Sequence, residues 1–290
     1  MENTRDLYKK PYINIPFPIS RKEIEEAMES FFCFLELPEE KKYHINMNIS
    51  PLHRRGDVGF VHKDSKAGIY DSKDYFHYHP IIDDTYLDFI NNNHEIKEFI
   101  LNAHPIWDAI YQVTKDVLLS LDEGNTNILD KIFDSDTPHI VLRFLKYYYQ
   151  NPGEYLAKPH FDAGSFTVAV AESGPGLRIG TNPDDLEPVT HEENNAIFFI
   201  SSNINRILKD ERLVPAWHDV VQLNESKSTE SFSRWAIVAF IDGHSVGSLS
   251  REETHKFNNI NTSEVTFMGC QEGDSSFCMG GVDQCVLNDV

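Results

Sequence analysis

Positive charge is in short supply: 26 Lys and Arg stand against 46 Asp and Glu, a formal net charge of −20. A surface of that sign repels phosphate backbones, which removes nucleic acid from the expected partners. Long hydrophobic runs are missing as well. No apolar stretch approaches the ~18–20 residues of a membrane-spanning helix, and the opening segment MENTRDLYKKPY lacks the apolar core of a secretory leader. The expectation is a soluble, cytoplasmic protein with no membrane partner. Cysteine is scarce, at four residues, too few for a disulfide scaffold. Cys33 falls in an apolar helical segment and reads as a small core residue. Cys270, Cys278 and Cys285 crowd the end of the chain without a CxxC pair, a spacing that fits free thiols better than a zinc site.

Low-complexity linkers and internal repeats are also absent, so 290 residues read as one elaborated domain. What is present falls into two textures. In the first, YINIPF predicts a short strand over 12–17, and SRKEIEEAMESFFCFLEL predicts an amphipathic helix. Ser20 and Glu23 have capping-box spacing, and Ile24, Ala27, Met28, Phe31 and Leu35 share one face. A second helical region runs from about Asp83 to Leu121, with Ile96, Phe99, Ile100, Ala103, Ile106, Ile110, Val113 and Val117 at helical spacing and Pro105 set to kink or split it. After residue 138 the texture becomes a series of short β-prone runs: HIVLRFLKYYY, SFTVAVA, GLRIG, NAIFFIS, VVQL and RWAIVAFID. Helices followed by strands without intervening helices predict a mainly β fold, a jelly-roll core braced by N-terminal helices. The expected layout is one domain over 1–242, helical to about 137 and jelly roll from about 138, followed by a polar extension over 243–290.

Thirteen histidines make chance pairings common, so position matters more than number. His62-Lys63-Asp64 lies in a charged stretch with no following apolar run and reads as solvated loop. His160-Phe161-Asp162, in KPHFDAGSFTVAV, stands at the mouth of the β-rich half. Strand alternation projects His160 and Asp162 to the same side and Phe161 to the other. His218, in PAWHDVVQL, heads another predicted strand. Two histidines and one carboxylate on the strands of a jelly roll make a facial triad, which leaves coordination positions of a non-haem Fe(II) open to cosubstrate and dioxygen.

These motifs, in this order, resemble the 2-oxoglutarate- and iron(II)-dependent oxygenases, in the branch that includes isopenicillin N synthase. The resemblance runs from the first strand to about residue 242. It rests on HFDAGSFTVAVAESGPGLRI, on NNAIFFISSNINRILKDERLVPAWHDV, on SRWAIVAFID, and on the upstream LPEEKK and DSKDYFHYHP. It implies that His160, Asp162 and His218 hold Fe(II), that Arg234 binds the distal carboxylate of 2-oxoglutarate through its planar fork, and that Tyr147 touches the same cosubstrate. The implied reaction consumes dioxygen and 2-oxoglutarate, oxidises a small molecule, most simply by hydroxylation, and releases succinate and CO2. Asp162 argues against halogenation, since a halide site needs a small residue there.

One departure opens alternatives. Where the family has Arg-x-Ser, this chain has Arg234-Trp235-Ala236. The missing hydroxyl implies either weaker cosubstrate binding, by ~1–2 kcal/mol, or a 2-oxoglutarate-independent iron oxidase of the same fold. A non-oxidative metal-binding jelly roll uses the same ligands. Arg54 and Arg55, in PLHRRGDVGFVHKD, are candidates for pairing with a carboxylate on the substrate, and Phe76, Tyr78 and His79 are candidates for lining its cavity.

Overall fold

The computed structural model describes residues 4–63, 72–122, 127–208, 213–223, 231–245, 247–249 and 253–254. Most of the predicted extension, with Cys270, Cys278 and Cys285, lies outside these residues, as does Asp64. A short 3-10 turn over Thr4–Tyr8 leads into β1 (Tyr12–Pro16), α1 (Arg21–Leu35), α2 (Glu39–Tyr43), β2 (Met47–Asn48), β3 (Asp57–Lys63) and β4 (Lys73–Tyr78). Next come α3 (Ile81–Thr85), α4 (Leu87–Asn91), α5 (His94–Leu121) and α6 (Ile128–Ile132). The remaining elements are β5 (His139–Tyr147), β6 (Tyr155–His160), β7 (Phe166–Glu172), β8 (Leu177–Gly180), β9 (Glu187–Pro188), β10 (Asn195–Ile200), α7 (Ile204–Leu208), β11 (Trp217–Val221) and β12 (Arg234–Asp242).

The strands form two antiparallel sheets, an eight-stranded one in the order β1-β10-β7-β12-β5-β4-β3-β2 and a four-stranded one in the order β6-β11-β8-β9. Alternation along each strand of the large sheet decides what faces what. On β5, Ile140, Leu142 and Phe144 join the core under the helices, whereas Leu145 and Tyr147 join a second apolar cluster on the opposite face, toward the small sheet. On β12, Trp235, Ile237 and Ala239 face the helices, while Arg234, Ala236, Val238 and Phe240 line the cavity between the sheets.

The helical layer owes its position to two apolar stripes. Helix α1 begins with the expected capping box, Glu23 N–H donating to Ser20 Oγ at 3.3 Å and Ser20 N–H to the Glu23 carboxylate at 2.9 Å. Cys33, expected in the core, is exposed instead. It stands two residues from Phe31, about 200° around the helix, and so turns away from the buried stripe. Pro105 does not split α5, which runs unbroken through it. The carbonyl that Pro105 leaves without a donor belongs to Leu101, on the water-facing side where the Leu101 side chain is 61% exposed, so solvent can satisfy it. Among the described residues no helix is long and apolar enough to cross a membrane.

The part expected to be helical also supplies β3 and β4, which extend the large sheet. Polar residues hide both from a reading of the sequence. Every residue of KDYFHY is buried, including Lys73, Asp74 and His77, so no alternation of apolar and polar types marks it. His62 accordingly sits at the end of a strand and not in a loop, its Nδ1 2.6 Å from Asp74 Oδ1.

The two layers meet at Phe99, whose ring centroid lies 5.0 Å from those of Phe76 and Phe144 and 5.4 Å from those of Phe31 and Phe34. Truncating it empties the junction of both helices with the sheet. Phe99→Ala is expected to cost about 3–5 kcal/mol, read as a lower urea midpoint at unchanged slope.

Candidate metal centre

Three side chains converge between the sheets. His160 ends β6, His218 lies on β11 directly opposite it in the register, and Asp162 follows on the turn after β6. One ligating atom from each lies within 4.8 Å of the other two. His160 Nε2 is 3.5 Å from Asp162 Oδ1, and His218 Nε2 is 3.6 Å from Asp162 Oδ2.

The other nitrogen of each ring determines what Nε2 can do. His160 Nδ1 is 2.6 Å from the Lys158 carbonyl and His218 Nδ1 is 3.1 Å from the Ala216 carbonyl. A carbonyl only accepts, so each Nδ1 carries the proton, and in the neutral ring each Nε2 presents a lone pair. Burial, followed by the neighbouring His218, lowers the His160 pKa to about 4, so that ring is neutral at physiological pH. The His160 lone pair therefore faces a carboxylate with no hydrogen between them, and the neutral form of His218 adds a second. Electron-rich atoms so placed repel unless a cation sits among them, and two imidazoles plus one carboxylate is a donor set that suits Fe(II).

Asp162 is held from behind. Burial alone would raise its carboxyl pKa, but the Arg55 guanidinium holds it well below the usual carboxylate range. Arg55 Nη2 donates to Oδ1 and Thr167 Oγ1 donates to Oδ2 at 2.7 Å. A carboxylate has about four lone-pair sites, so these bonds leave capacity for a metal. Arg55, expected near a substrate carboxylate, thus grips a protein carboxylate. Arg54 does not line the cavity.

The cavity has a volume of about 70 Å3. One water needs about 10–15 Å3 on this scale, so a few waters or the acid end of a small molecule fit beside the triad. Its lining is cationic in an otherwise acidic protein: Arg55, Lys73, Arg143 and Arg234 face Asp162 and Glu172. Arg234 is 4% exposed, and its Nη2 donates to the Glu172 carboxylate. Among the described residues its buried Nε and Nη1 have no hydrogen-bond partner. Burial would raise the Glu172 pKa, but His191 and Arg234 hold it below the ordinary value, so it is ionised. Tyr147 stands opposite Arg234 in the register, its ring centroid 6.0 Å from the Arg234 guanidinium carbon. Gly176, with φ of 139°, passes so close that a Cβ there would fall 2.5 Å from the Val221 carbonyl oxygen and 3.0 Å from Arg234 Nη1.

Phe76, Tyr78 and His79 lie elsewhere. Phe76 and Tyr78 belong to the core under the helices, and Tyr78 Oη bonds to Asp83 and His104. His79 Nε2 meets the Pro138 carbonyl. On β4 the cavity side belongs to the odd residues: Lys73 lines the cavity and His77 bonds to Arg143. The sequence reading missed Lys73, Arg143, Glu172 and His191. Arg143 could have been found by extending the alternation inward from Tyr147, whereas Lys73, on a strand the sequence does not reveal, and Glu172 could not. A register shift between β7 and β12 inserts Val170 as an extra residue, so that Glu172 faces the cavity beside Ala236.

No family model matches the chain, and no curated protein matches it in sequence. Solved structures do. It is similar to a full-length Neurospora crassa protein in complex with alpha-KG, with a TM-score of 0.62 at 20% identity over 83% of this chain and 77% of that one. The Arabidopsis thaliana dioxygenase for auxin oxidation 1, as a 2-oxoglutarate binary complex, has a TM-score of 0.62 at 16% identity, covering 83% of this chain and 87% of that one. JOX2 in complex with 2OG, Fe and JA has a TM-score of 0.62 at 17% identity over 85% and 72%. The fold of this chain is the jelly roll of these 2-oxoglutarate oxygenase structures.

Alanine at His160, Asp162 or His218 is expected to weaken Fe(II) binding at least a hundredfold, read by calorimetric titration of the metal alone, with far-UV dichroism unchanged. His62→Ala, a change on β3 near the edge of the large sheet, is expected to bind iron as the parent does. Equal loss in the His62 variant would show that iron binds elsewhere.

Proposed function

We propose that this chain is a non-haem Fe(II)- and 2-oxoglutarate-dependent oxygenase that oxidises a small molecule, most simply by hydroxylation. The observation carrying this reading is the convergence of two imidazole nitrogens and a carboxylate in a cavity that also holds a buried arginine with donors unpartnered among the described residues. The 2-oxoglutarate complexes of the Neurospora crassa protein, of the auxin dioxygenase and of JOX2, at similar architecture, support it.

His160, Asp162 and His218 would hold the iron, which would supply the oxidising chemistry with dioxygen as oxidant and 2-oxoglutarate as the co-reductant that ends as succinate and CO2. The chain's own residues orient and exclude. Lys158 and Ala216 carbonyls fix both imidazoles, Arg55 and Thr167 fix Asp162, and Arg234 offers Nε and Nη1 to the distal carboxylate of the cosubstrate. Phe199, Leu177 and Val220 supply apolar walls that keep bulk water from the reacting end.

A second reading, the 2-oxoglutarate-independent oxidase, has a specific observation in its favour: the Arg234 fork already holds an internal carboxylate, Glu172, and Ala236 offers no hydroxyl beside it. The two readings differ in what Glu172 does. If Arg234 serves a cosubstrate, Glu172 competes for the same fork, and Glu172→Gln removes that competitor.

The test begins with an anaerobic titration of Fe(II) and 2-oxoglutarate, in which a weak visible charge-transfer band is expected. Arg234→Ala is expected to raise the 2-oxoglutarate concentration for half-saturation by one to several orders of magnitude, in keeping with ~2–5 kcal/mol for a desolvated charge pair. Glu172→Gln is expected to lower it. Oxygen uptake that proceeds without 2-oxoglutarate and ignores Arg234→Ala would establish the second reading.

A further inference from the structure

Arg143 has no role in the site as described. It lies on β5, is 5% exposed, and points into the same cavity as the metal group. Its Nε donates to His77 Nε2 at 2.6 Å. That ring is neutral, because burial and the adjacent Arg143 push the His77 pKa well below its ordinary value. The other contacts of the guanidinium are aromatic: its carbon lies 4.6 Å from the ring centroids of both Tyr75 and Phe240. Its Nη2 is buried without a hydrogen-bond partner. Among the described residues no carboxylate pairs with it. Burial, followed by Arg55, lowers its pKa to about 10, so the cation persists at neutral pH.

Phe240 joins Arg143 to Arg55, whose guanidinium carbon stands 3.5 Å from the same ring centroid. Arg55 commits Nη2 to Asp162, while its buried Nε and Nη1 have no partner among the described residues. Two guanidinium groups therefore share one aromatic side chain at the metal end of the cavity, with three nitrogens unpartnered among the described residues and Asp162 as the adjacent counter-charge. Buried cations are costly unless paired, and a buried donor without an acceptor calls for a missing partner.

We propose that Arg143 and Arg55 form an anion subsite, distinct from the Arg234 clamp, that binds a carboxylate of the substrate beside the metal group. Charge selects the carboxylate. Arg55 and Arg143 together with Asp162 leave one positive charge at this pair, which a carboxylate monoanion neutralises. Planar guanidinium groups suit a planar carboxylate. The substrate is then a small organic acid anchored at its acid end, so that oxidation falls on carbon near that end. Calling the bound acid the substrate rests on the oxygenase reading; the subsite itself does not.

The test uses trifluoroacetate, a monoanion that fits the cavity, and trifluoroacetamide, its neutral counterpart of similar shape, titrated into the full chain and followed by fluorine NMR. Saturable trifluoroacetate binding is expected, weakened at least tenfold in Arg143→Met and retained in Arg234→Gln, with the amide binding at least tenfold more weakly. The thermal midpoint of Arg143→Met is expected to equal or exceed the parent's, since an unpaired buried cation has been removed. The proposal is overturned if the parent shows no saturable binding, if the amide binds as tightly, or if binding follows Arg234 alone. Affinity within twofold of the parent in Arg143→Met, or in Arg143→Gln should the methionine variant not fold, also overturns it. The iron–2-oxoglutarate band reports separately: its presence with Arg143-independent binding removes the subsite and keeps the oxygenase, and its absence with Arg143-dependent binding does the reverse.

Discussion

A single buried carboxylate organises this molecule. Asp162 is 2% exposed, and an ionised carboxyl so placed must be compensated on every side. Arg55 reaches it from the segment before β3, Thr167 from β7, and two imidazoles face it from β6 and β11. Its backbone carbonyl is engaged as well, accepting from the Ser202 amide and hydroxyl. Both sheets and a crossing segment are thereby committed to one position. The jelly roll suits this arrangement because its two inner faces can present polar groups to each other while the outer face of the large sheet stays apolar under the helices.

That division of faces explains how an acidic protein can contain a cationic interior. The surface carries the excess of Asp and Glu, which keeps the chain dispersed. Lys73, Arg143 and Arg234 sit on neighbouring strands of the large sheet, all directed inward by strand parity. Helix-side positions on the same strands hold phenylalanine, isoleucine and leucine. Polarity is thus sorted strand by strand at intervals of one residue, and average composition says nothing of it.

The same sorting sets what the sequence could reveal. Helix α1 was readable to its capping box because caps and apolar stripes are local. His160, Asp162 and His218 stood out because a His-x-Asp ahead of an alternating run is rare in a way that spacing records. Phe76 and Tyr78 were placed in the cavity by proximity to a motif, and strand parity puts them on the other face. Arg143, inside HIVLRFLKYYY, carries no mark of its own in the sequence and is a feature of the cavity. β4 went unseen because burial of Lys73, Asp74 and His77 depends on partners from distant strands, Tyr147, Tyr148 and Arg143 among them. Cys33 misled because residue type suggested burial where helical angle forbade it.

The extra residue in β7 has a meaning for kinship as well as for chemistry. Thr167 and Ala169 face the cavity by ordinary alternation, and Glu172 does so only because Val170 is inserted against β12. Which residue confronts Arg234 is therefore decided by how many residues precede it in the strand, and not by their types. At 16–20% identity, an alignment that closes this one-residue bulge would set a cavity residue of one protein against a helix-layer residue of the other. Any census of what faces the arginine across such proteins has to be counted on superposed strands.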